Sequence, residues 1–382
     1  MNGALKTLVT GGTGVVGGAL VPHLLRERPD DLVLLVRAGK TGDAQNRLEG
    51  MLDDWKRLPD WKPGSEQRLT CVAGDISQPL LGLDPRVRED LVPCLAGIVH
   101  AAANVKMTLP LEEARAISCG SMREILSLAD QARQRRGVPP KLDYVSTMGV
   151  AGRQQGRIPE AELAEPRLFH NTYEQAKAEA ETVLLNAMRQ GQPATIYRPS
   201  MITGDSRTGQ TTHFQIFHYL CDFLSGRHTR GWLPAIRGFS LDLIPVDTVA
   251  AAVAKGGSQP DSIGKILHLT SGESAPVMPE DLGERMRVLL ADAEVAVPRA
   301  RRVPAPVFMA TLRIIKPFLP NAMQRRLAFL PVALSYMKDR QIFENTVSRA
   351  WLEALGIPWP HPRDYVDASL RYYIAQRLSS AA

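Results

Sequence analysis

The 382-residue chain is long enough for one large domain or two linked lobes, and its 44% hydrophobic and 23% charged residues are ordinary for a folded globular protein. No apolar run reaches the roughly 18 residues of a membrane span, and the first residues lack the layout of a signal peptide, so we expect a cytoplasmic protein. None of the four cysteines forms a Cys-x-x-Cys pair, which argues against zinc and against a redox dithiol. The net charge of +6 is local, because residues 299–338 hold eight Lys or Arg and no acidic residue.

Short apolar strands alternate with helical patterns over the first half of the chain. Strands are predicted at 5–9, 32–36, 69–73, 97–101, 142–146 and 194–197, and the clearest helices at 15–27, 112–134 and 173–189. This alternation predicts an α/β fold, a Rossmann-type doubly wound parallel sheet with helices on both faces.

The alternation breaks down after residue 205. We expect a dinucleotide-binding domain over 1–205 with 241–275 returning to it, including a strand near 264–270. Residues 206–240 and 276–382 would then form a smaller, mainly helical substrate-binding lobe or lid.

A glycine loop lies between the first strand and the first helix, with the spacing Gly-x-x-Gly-x-x-Gly. Gly11 permits a tight turn, Gly14 lets the backbone approach a pyrophosphate, and Gly17 lets helix and strand pack closely. The helix N-terminus attracts phosphate charge. We therefore expect the loop to bind a dinucleotide cofactor through Thr10, Gly11, Thr13, Gly14, Val15 and Gly17.

The ends of the next strands carry further candidate cofactor contacts. Arg37 ends the second strand, where a carboxylate would select NAD and an arginine accommodates the 2′-phosphate of NADPH; NADPH is therefore favoured. Asp75, with Ile76, follows the third strand, where a carboxylate can accept from the adenine amino group. Ala101 and Ala102 follow the fourth, where small side chains leave room for the cofactor. His100 is interpreted as a packed histidine at a strand end.

The candidate catalytic residues are Thr147, Tyr173 and Lys177. Tyr173 and Lys177 are four residues apart and share one face of a helix, so a nearby cation is expected to lower the pKa of the phenol. Thr147 lies 26 residues before Tyr173, at the end of the fifth strand, where its hydroxyl can orient a substrate oxygen. The phenol would then give or take a proton near neutral pH.

With these residues in order, residues 5–275 resemble the extended short-chain dehydrogenase/reductases, most closely the branch of thioester reductases and fatty acyl-CoA reductases. The finer resemblance lies in the segments 144–150, 171–177 and 197–209, and in residues 343–346. It implies that Thr147 is the active-site hydroxyl, that Tyr173 is the acid, and that Lys177 binds the nicotinamide ribose. It also implies that Pro199 and Ser200 flank the nicotinamide. Ile117 stands where many members have an asparagine, which puts a proton relay through that position in doubt.

The resemblance implies an NADPH-dependent reductase that transfers hydride to an acyl thioester, bound to coenzyme A or an acyl carrier protein, and releases an aldehyde. A second transfer could give the alcohol. Two alternatives stay open. One is a ketoreductase, epimerase or dehydratase acting on a sterol, a sugar nucleotide or another small carbonyl compound. The other is a regulator that binds NADP without catalysis.

The basic stretch over 299–338 has several interpretations. It is either a set of lid helices with solvated arginines or the rim of an acyl cleft that faces an anionic carrier, in which case reversing Arg325 and Arg326 would weaken carrier binding. Peripheral membrane contact is a further possibility, since short basic amphipathic helices suit anionic lipid. Nothing in the chain matches a nucleic-acid-binding module.

Overall fold

The computed structural model describes residues 4–37, 44–58, 61–236, 238–318, 324, 330, 336 and 339–379. The strands are β1 (Lys6–Thr10), β2 (Asp31–Val36), β3 (Leu69–Ala73), β4 (Leu95–His100), β5 (Lys141–Val145), β6 (Gly156–Ile158), β7 (Ala194–Pro199), β8 (Met201–Thr203), β9 (Trp232–Ala235), β10 (Leu243–Pro245), β11 (Ile266–Leu269), β12 (Arg301–Pro304) and β13 (Gln341–Phe343). The helices are α1 (Val15–Glu27), α2 (Ala44–Trp55), α3 (Pro85–Leu91), α4 (Leu111–Arg115), α5 (Ser121–Arg136), α6 (Thr172–Arg189), α7 (Ile216–Leu224), α8 (Val246–Ala251), α9 (Pro279–Asp292), α10 (Ala305–Ile315), α11 (Thr346–Ala354) and α12 (Pro362–Ser379).

Seven parallel strands form the main sheet, in the order β3-β2-β1-β4-β5-β7-β11. The chain leaves β1 toward one edge and later returns from β4 toward the other, so the order reverses beside β1. Ligands of such sheets bind at the carboxyl ends of the strands, at this reversal. The expected Rossmann-type parallel sheet is confirmed, and β11 is one of its edge strands.

Side chains that alternate along the strands fill two cores, one on each face of the sheet. Val9, Leu34 and Val99 pack with α1 and α8 on one face. Leu8 and Ile98 pack with α5 and α6 on the other. Because both faces are covered, the strands are apolar throughout, which is why they stand out in the sequence.

A third core holds the C-terminal lobe together. It is built from α7, α9, α10 and α12, and its buried members include Phe217, Met286, Phe308 and Tyr373. Two short parallel strand pairs add to this packing. β9 pairs with β12 within the lobe, and β13 pairs with β6, which lies in the segment after β5.

Three details differ from the sequence-based expectation or fall outside it. The helix predicted over 112–134 is interrupted by a π-helical turn at 116–120, which hydrophobic periodicity does not encode because backbone hydrogen bonding defines it. The described part of the region after 276 includes the strands β12 and β13 as well as helices. Arg325 and Arg326 lie outside the described residues.

Among the described residues, no helix combines the length and the apolar character needed to cross a membrane. Within the same residues, no cluster of three or more His, Cys, Asp or Glu side chains could hold a metal ion. The cysteines are free thiols: Cys119 and Cys221 are buried, and Cys71 and Cys94 are partly exposed.

Candidate active site

A cleft of about 1790 Å³ runs from the carboxyl ends of the sheet strands to the C-terminal lobe. Of the sixteen site residues expected from the sequence, fifteen line the cleft: Gly11, Thr13, Gly14, Val15, Gly17, Arg37, Asp75, Ile76, Ala101, Ala102, Thr147, Tyr173, Lys177, Pro199 and Ser200.

 Thr10 is the one expected residue that does not line the cleft. It is buried, and its hydroxyl is hydrogen-bonded to His100.

The glycine loop forms one end of the cleft, and its shape fits a dinucleotide. Gly11 has a φ of +76°, and a Cβ on it would lie 2.5 Å from the backbone nitrogen of Ala102. A Cβ on Gly17 would lie 2.0 Å from the carbonyl oxygen of Gly11. No side chain among the described residues caps the N-terminus of α1, so its first amide groups can face an anion. The loop therefore has the close-packed backbone and the helix N-terminus that a pyrophosphate requires.

Two arginines stand together where β2 ends. Arg37 is exposed, and its carbonyl oxygen accepts a hydrogen bond of 2.5 Å from Nη1 of Arg47 on α2. Both side chains line the cleft. Sequence reasoning missed Arg47, because only the packing of α2 beside β2 brings it to the end of that strand. The pair forms a cationic end of the cleft suited to a phosphate.

The Asp75 carboxylate is held in a fixed position on the same side of the cleft. Its Oδ1 atom accepts hydrogen bonds from the backbone nitrogen of Ser77 at 2.9 Å and from the Ser77 hydroxyl at 2.7 Å. Oδ2 is not engaged by Ser77, so the carboxylate keeps an acceptor for a ligand amino group.

His100 is packed between β1 and α5 and does not line the cleft. Its Nδ1 lies 2.7 Å from the Thr10 hydroxyl and its Nε2 lies 3.3 Å from the Ser121 hydroxyl. Burial, with a smaller contribution from Lys177, lowers the pKa of His100 to about 3. The imidazole is therefore neutral at physiological pH. From its place on β4 it connects β1, through Thr10, to α5, through Ser121.

Thr147 and Tyr173 meet in the middle of the cleft. Thr147 follows β5, and its Oγ1 accepts from the backbone nitrogen of Gly149 at 3.1 Å. Burial raises the pKa of Tyr173 to about 12, while a hydrogen bond with the Thr147 hydroxyl acts in the opposite direction. The phenol therefore holds its proton at neutral pH and can donate it.

Lys177 lies one helical turn further along α6 and turns toward the sheet. Its Nζ donates to the carbonyl oxygen of Val145 at 2.9 Å and lies 4.2 Å from the centre of the Tyr144 ring. Burial lowers the pKa of Lys177 to about 7, although the Glu181 carboxylate raises it. The expectation that a cation would lower the pKa of Tyr173 is wrong for this structure, because burial dominates at both groups.

A buried polar network supports these residues from behind. The Ser146 hydroxyl donates to Glu181 at 2.7 Å, and Glu181 forms an ion pair of 2.5 Å with Arg198. Arg198 is fully buried and lies 3.1 Å from Nε2 of His268. Sequence reasoning missed this network. Two positions in the sequence could have indicated it: Glu181 lies four residues after Lys177, on the same helix face, and Arg198 lies directly before Pro199.

The C-terminal lobe contacts the N-terminus of α6, directly before Tyr173. Asn171 caps the helix, accepting from the backbone nitrogen of Glu174 at 3.0 Å, and its side chain donates to the Tyr336 hydroxyl at 2.8 Å. His170 stacks on the Tyr336 ring at 4.3 Å and is hydrogen-bonded to both Glu174 and Asp339. Residues 336 and 339 thus fix the end of the helix that carries the phenol.

Apolar and aromatic side chains also line the cleft. They come from both lobes and include Met107, Phe214, Tyr219, Phe239, Leu241 and Phe343. One cleft therefore combines the glycine loop, Thr147 and Tyr173 with an extensive apolar lining.

Known proteins share both the sequence pattern and the fold. The family described as male sterility protein matches residues 9–253, which is more than half of the chain. The glycine betaine reductase ATRR of Emericella nidulans is 28% identical over 295 residues, which make up 75% of this chain and 22% of that protein. A putative fatty acyl-CoA reductase of Drosophila melanogaster is 29% identical over 314 residues, 70% of this chain and 55% of that protein.

A solved structure matches the whole chain. The terminal R domain from the myxalamid PKS-NRPS biosynthetic pathway superimposes with a TM-score of 0.78 at 28% identity, covering 100% of this chain and 92% of that domain. The curated relatives are longer, since the chain spans only 22% and 55% of the two named above. The family match and the shared fold agree with the resemblance stated from the sequence. The chain belongs to the male sterility protein family, a family of extended short-chain dehydrogenase/reductases whose members are NAD(P)H-dependent oxidoreductases.

Proposed function

We propose that this chain is an NADPH-dependent reductase that converts an acyl thioester into an aldehyde and a free thiol. The observation that carries the proposal is that one cleft is lined by the glycine loop, by Thr147 and Tyr173, and by apolar side chains of both lobes. The likeness to a terminal R domain of a PKS-NRPS pathway and to a putative fatty acyl-CoA reductase supports a thioester substrate.

The residues that would hold the cofactor are the glycine loop, Arg37, Arg47, Asp75 and Lys177. When bound, a reduced nicotinamide supplies hydride. Arg37 and Arg47 support a preference for NADPH, because two guanidinium groups at the end of β2 can pair with a 2′-phosphate.

The chain's own residues would handle the substrate oxygen. Thr147 and Tyr173 hydrogen-bond the thioester carbonyl and hold it in position, and Tyr173 donates its proton to that oxygen. Reduction of a thioester carbonyl in this way gives a hemithioacetal, whose collapse releases the thiol and the aldehyde. No cysteine is among the described residues that line the cleft, so the route proceeds without an acyl-enzyme thioester.

The carrier and the acyl group belong to the same proposal. Coenzyme A and acyl carrier proteins both present the acyl group on a pantetheine arm, which is long and narrow enough for an extended cleft. The apolar side chains that line the cleft suit an acyl chain. Further reduction of the aldehyde to the alcohol would use the same residues.

The test is an assay of NADPH oxidation with acyl-CoA, acyl-carrier-protein, aldehyde and ketone substrates, in which free thiol is measured in parallel. Thiol release in step with NADPH oxidation is the expected result. NADPH oxidation with ketones, with no thiol released from any thioester, would favour a ketoreductase instead.

A further inference from the structure

Arg377, on α12, is a cation of the cleft that forms no ion pair with a described carboxylate. It is half-buried and lines the cleft beside Phe214 and Tyr219. No carboxylate of the described residues lies within 4.0 Å of its guanidinium, unlike Arg371 on the same helix, which pairs with Asp292. The guanidinium carries five N–H donors, and within the described part of the chain only Nε has a hydrogen-bond partner, the Tyr373 hydroxyl at 3.3 Å.

Three aromatic rings hold this guanidinium in place. Its central carbon lies 5.3 Å from the centre of the Tyr373 ring, 5.7 Å from Phe214 and 5.8 Å from Tyr219. The Tyr373 hydroxyl donates to Asp222 at 3.0 Å, but Asp222 is already paired with Arg227 and His228. Arg377 is thus oriented by the rings without an ion pair to a described carboxylate, and such a preoriented guanidinium suits an anionic ligand.

The loop that carries Phe214 crosses the start of α1. A Cβ on Gly18, in the first turn of α1, would lie 2.8 Å from the Thr212 side chain. Phe214 follows two residues later and stacks on Arg377. The segment on which Arg377 stacks therefore packs against the first turn of α1, the helix whose N-terminus is expected to face phosphate groups.

We propose that Arg377 is a phosphate-binding residue of the cleft. Two phosphates could reach it: the pyrophosphate of the dinucleotide, or the phosphate at the end of a carrier's pantetheine arm. The inference rests on the proposed function only for the second source. In both cases a planar, stacked guanidinium donates two parallel hydrogen bonds to phosphate oxygens.

The test measures binding by four proteins: the wild type, Arg377→Met, Arg377→Lys and the control Arg371→Met, an exposed arginine of the same helix outside the cleft. The first measurement is the Kd of NADPH. The second is the ratio of the Kd of pantetheine to that of 4′-phosphopantetheine, titrated into the NADP⁺-loaded protein. Thermal melts establish that each variant is folded.

If the phosphate is that of the cofactor, Arg377→Met raises the Kd of NADPH by about tenfold to a hundredfold, the range for a hydrogen bond to a charged group. If it is that of the carrier arm, the wild type prefers 4′-phosphopantetheine and Arg377→Met brings the ratio toward one. Arg371→Met should match the wild type in both measurements. Arg377→Lys keeps the charge but loses the stacked plane, so it should show the same change to a smaller extent.

The proposal is overturned if a folded Arg377→Met protein keeps both the NADPH affinity and the ratio of the wild type. Should Arg377→Met not fold, Arg377→Lys decides: wild-type values in both measurements overturn the proposal. Both measurements report binding and do not require catalysis. If the chain reduced no thioester, the proposed function would be contradicted, but the role of Arg377 in phosphate binding could still be decided.

Discussion

At the scale of single residues, burial decides the protonation of two groups that lie one helical turn apart on α6. It raises the pKa of Tyr173 to about 12 and lowers that of Lys177 to about 7. The Tyr173 phenol is therefore protonated at neutral pH, and the Lys177 ammonium is close to losing its proton. In the proposed reaction the phenol supplies the proton, which Thr147 helps to direct toward the substrate oxygen.

Replacing Tyr173 by Phe keeps the ring and removes the proton. We expect turnover to fall by about 10²-fold or more, the range for a positioned acid. The Kd of NADPH should change little, since the ring remains in place. Turnover is measured by NADPH oxidation and the Kd by fluorescence titration. Near-normal turnover in this variant would exclude Tyr173 as the acid.

Lys177→Met tests the lowered pKa of the buried amine. The amine has a pKa of about 7 in the folded chain against 10.5 for an unperturbed lysine, so between these values the unfolded chain binds more protons. Wild-type stability should therefore rise with pH over this window relative to the variant. We expect the difference in Tm between Lys177→Met and wild type to shift in favour of the wild type from pH 7 to pH 10. A difference independent of pH would contradict the assignment.

Arg37→Asp tests the cofactor preference. The change places a carboxylate where a 2′-phosphate would lie beside Arg47, so the ratio of NADPH to NADH affinity should fall and can invert. Arg57→Asp is the control, because Arg57 is exposed and does not line the cleft. A wild type that binds NADH more tightly than NADPH would show that the interpretation of Arg37 is wrong.

At the scale of elements, the β1–α1 unit determines whether a dinucleotide can approach the sheet. Gly17 has no room for a side chain, because the carbonyl of Gly11 fills that space. The contact lets α1 pack close to the loop and directs its free amide groups into the cleft. Helix, loop and strand thus act together, and none of them forms the site alone.

Gly17→Ala should disrupt this unit. The added Cβ would lie 2.0 Å from the Gly11 oxygen, so the backbone must move, and we expect a lower Tm together with a large loss of NADPH affinity. Gly50→Ala is the matched control, since a Cβ there meets nothing within 4 Å. As an exposed helical position in α2, it should gain about 0.5–1 kcal/mol in stability. Equal effects of the two substitutions would contradict the packing argument.

At the scale of the whole molecule, a chain of buried polar groups connects the sheet, α6 and the C-terminal lobe. Arg198 of β7 pairs with Glu181 of α6 and approaches His268 of β11, whose Nδ1 lies 2.7 Å from the carbonyl oxygen of Glu344. The network passes directly behind Pro199 and Ser146. It therefore positions the strand ends that line the cleft.

Glu181→Gln removes the partner of a fully buried cation. We expect a loss of about 3–5 kcal/mol in the free energy of unfolding, because Arg198 would be left without a carboxylate in the core. Glu162→Gln breaks the exposed pair with Arg189 and should cost only about 0–1 kcal/mol. Urea denaturation of both variants provides the comparison. A loss for Glu181→Gln as small as that of its control would show that the network contributes little.

The sequence by itself determined the parallel sheet, the glycine loop and the spacing of Thr147, Tyr173 and Lys177. These features are local: strands buried on both faces are continuous apolar runs, and a glycine loop between a strand and a helix needs small residues at fixed spacing. The sequence did not reveal the contacts between segments that are far apart in the chain. The tertiary structure alone brought Arg47 beside Arg37, Tyr336 against α6, and Arg377 into the cleft. The tertiary structure also decided the protonation states of Tyr173 and Lys177. Burial is the main cause of both pKa shifts, and burial depends on how the whole chain packs.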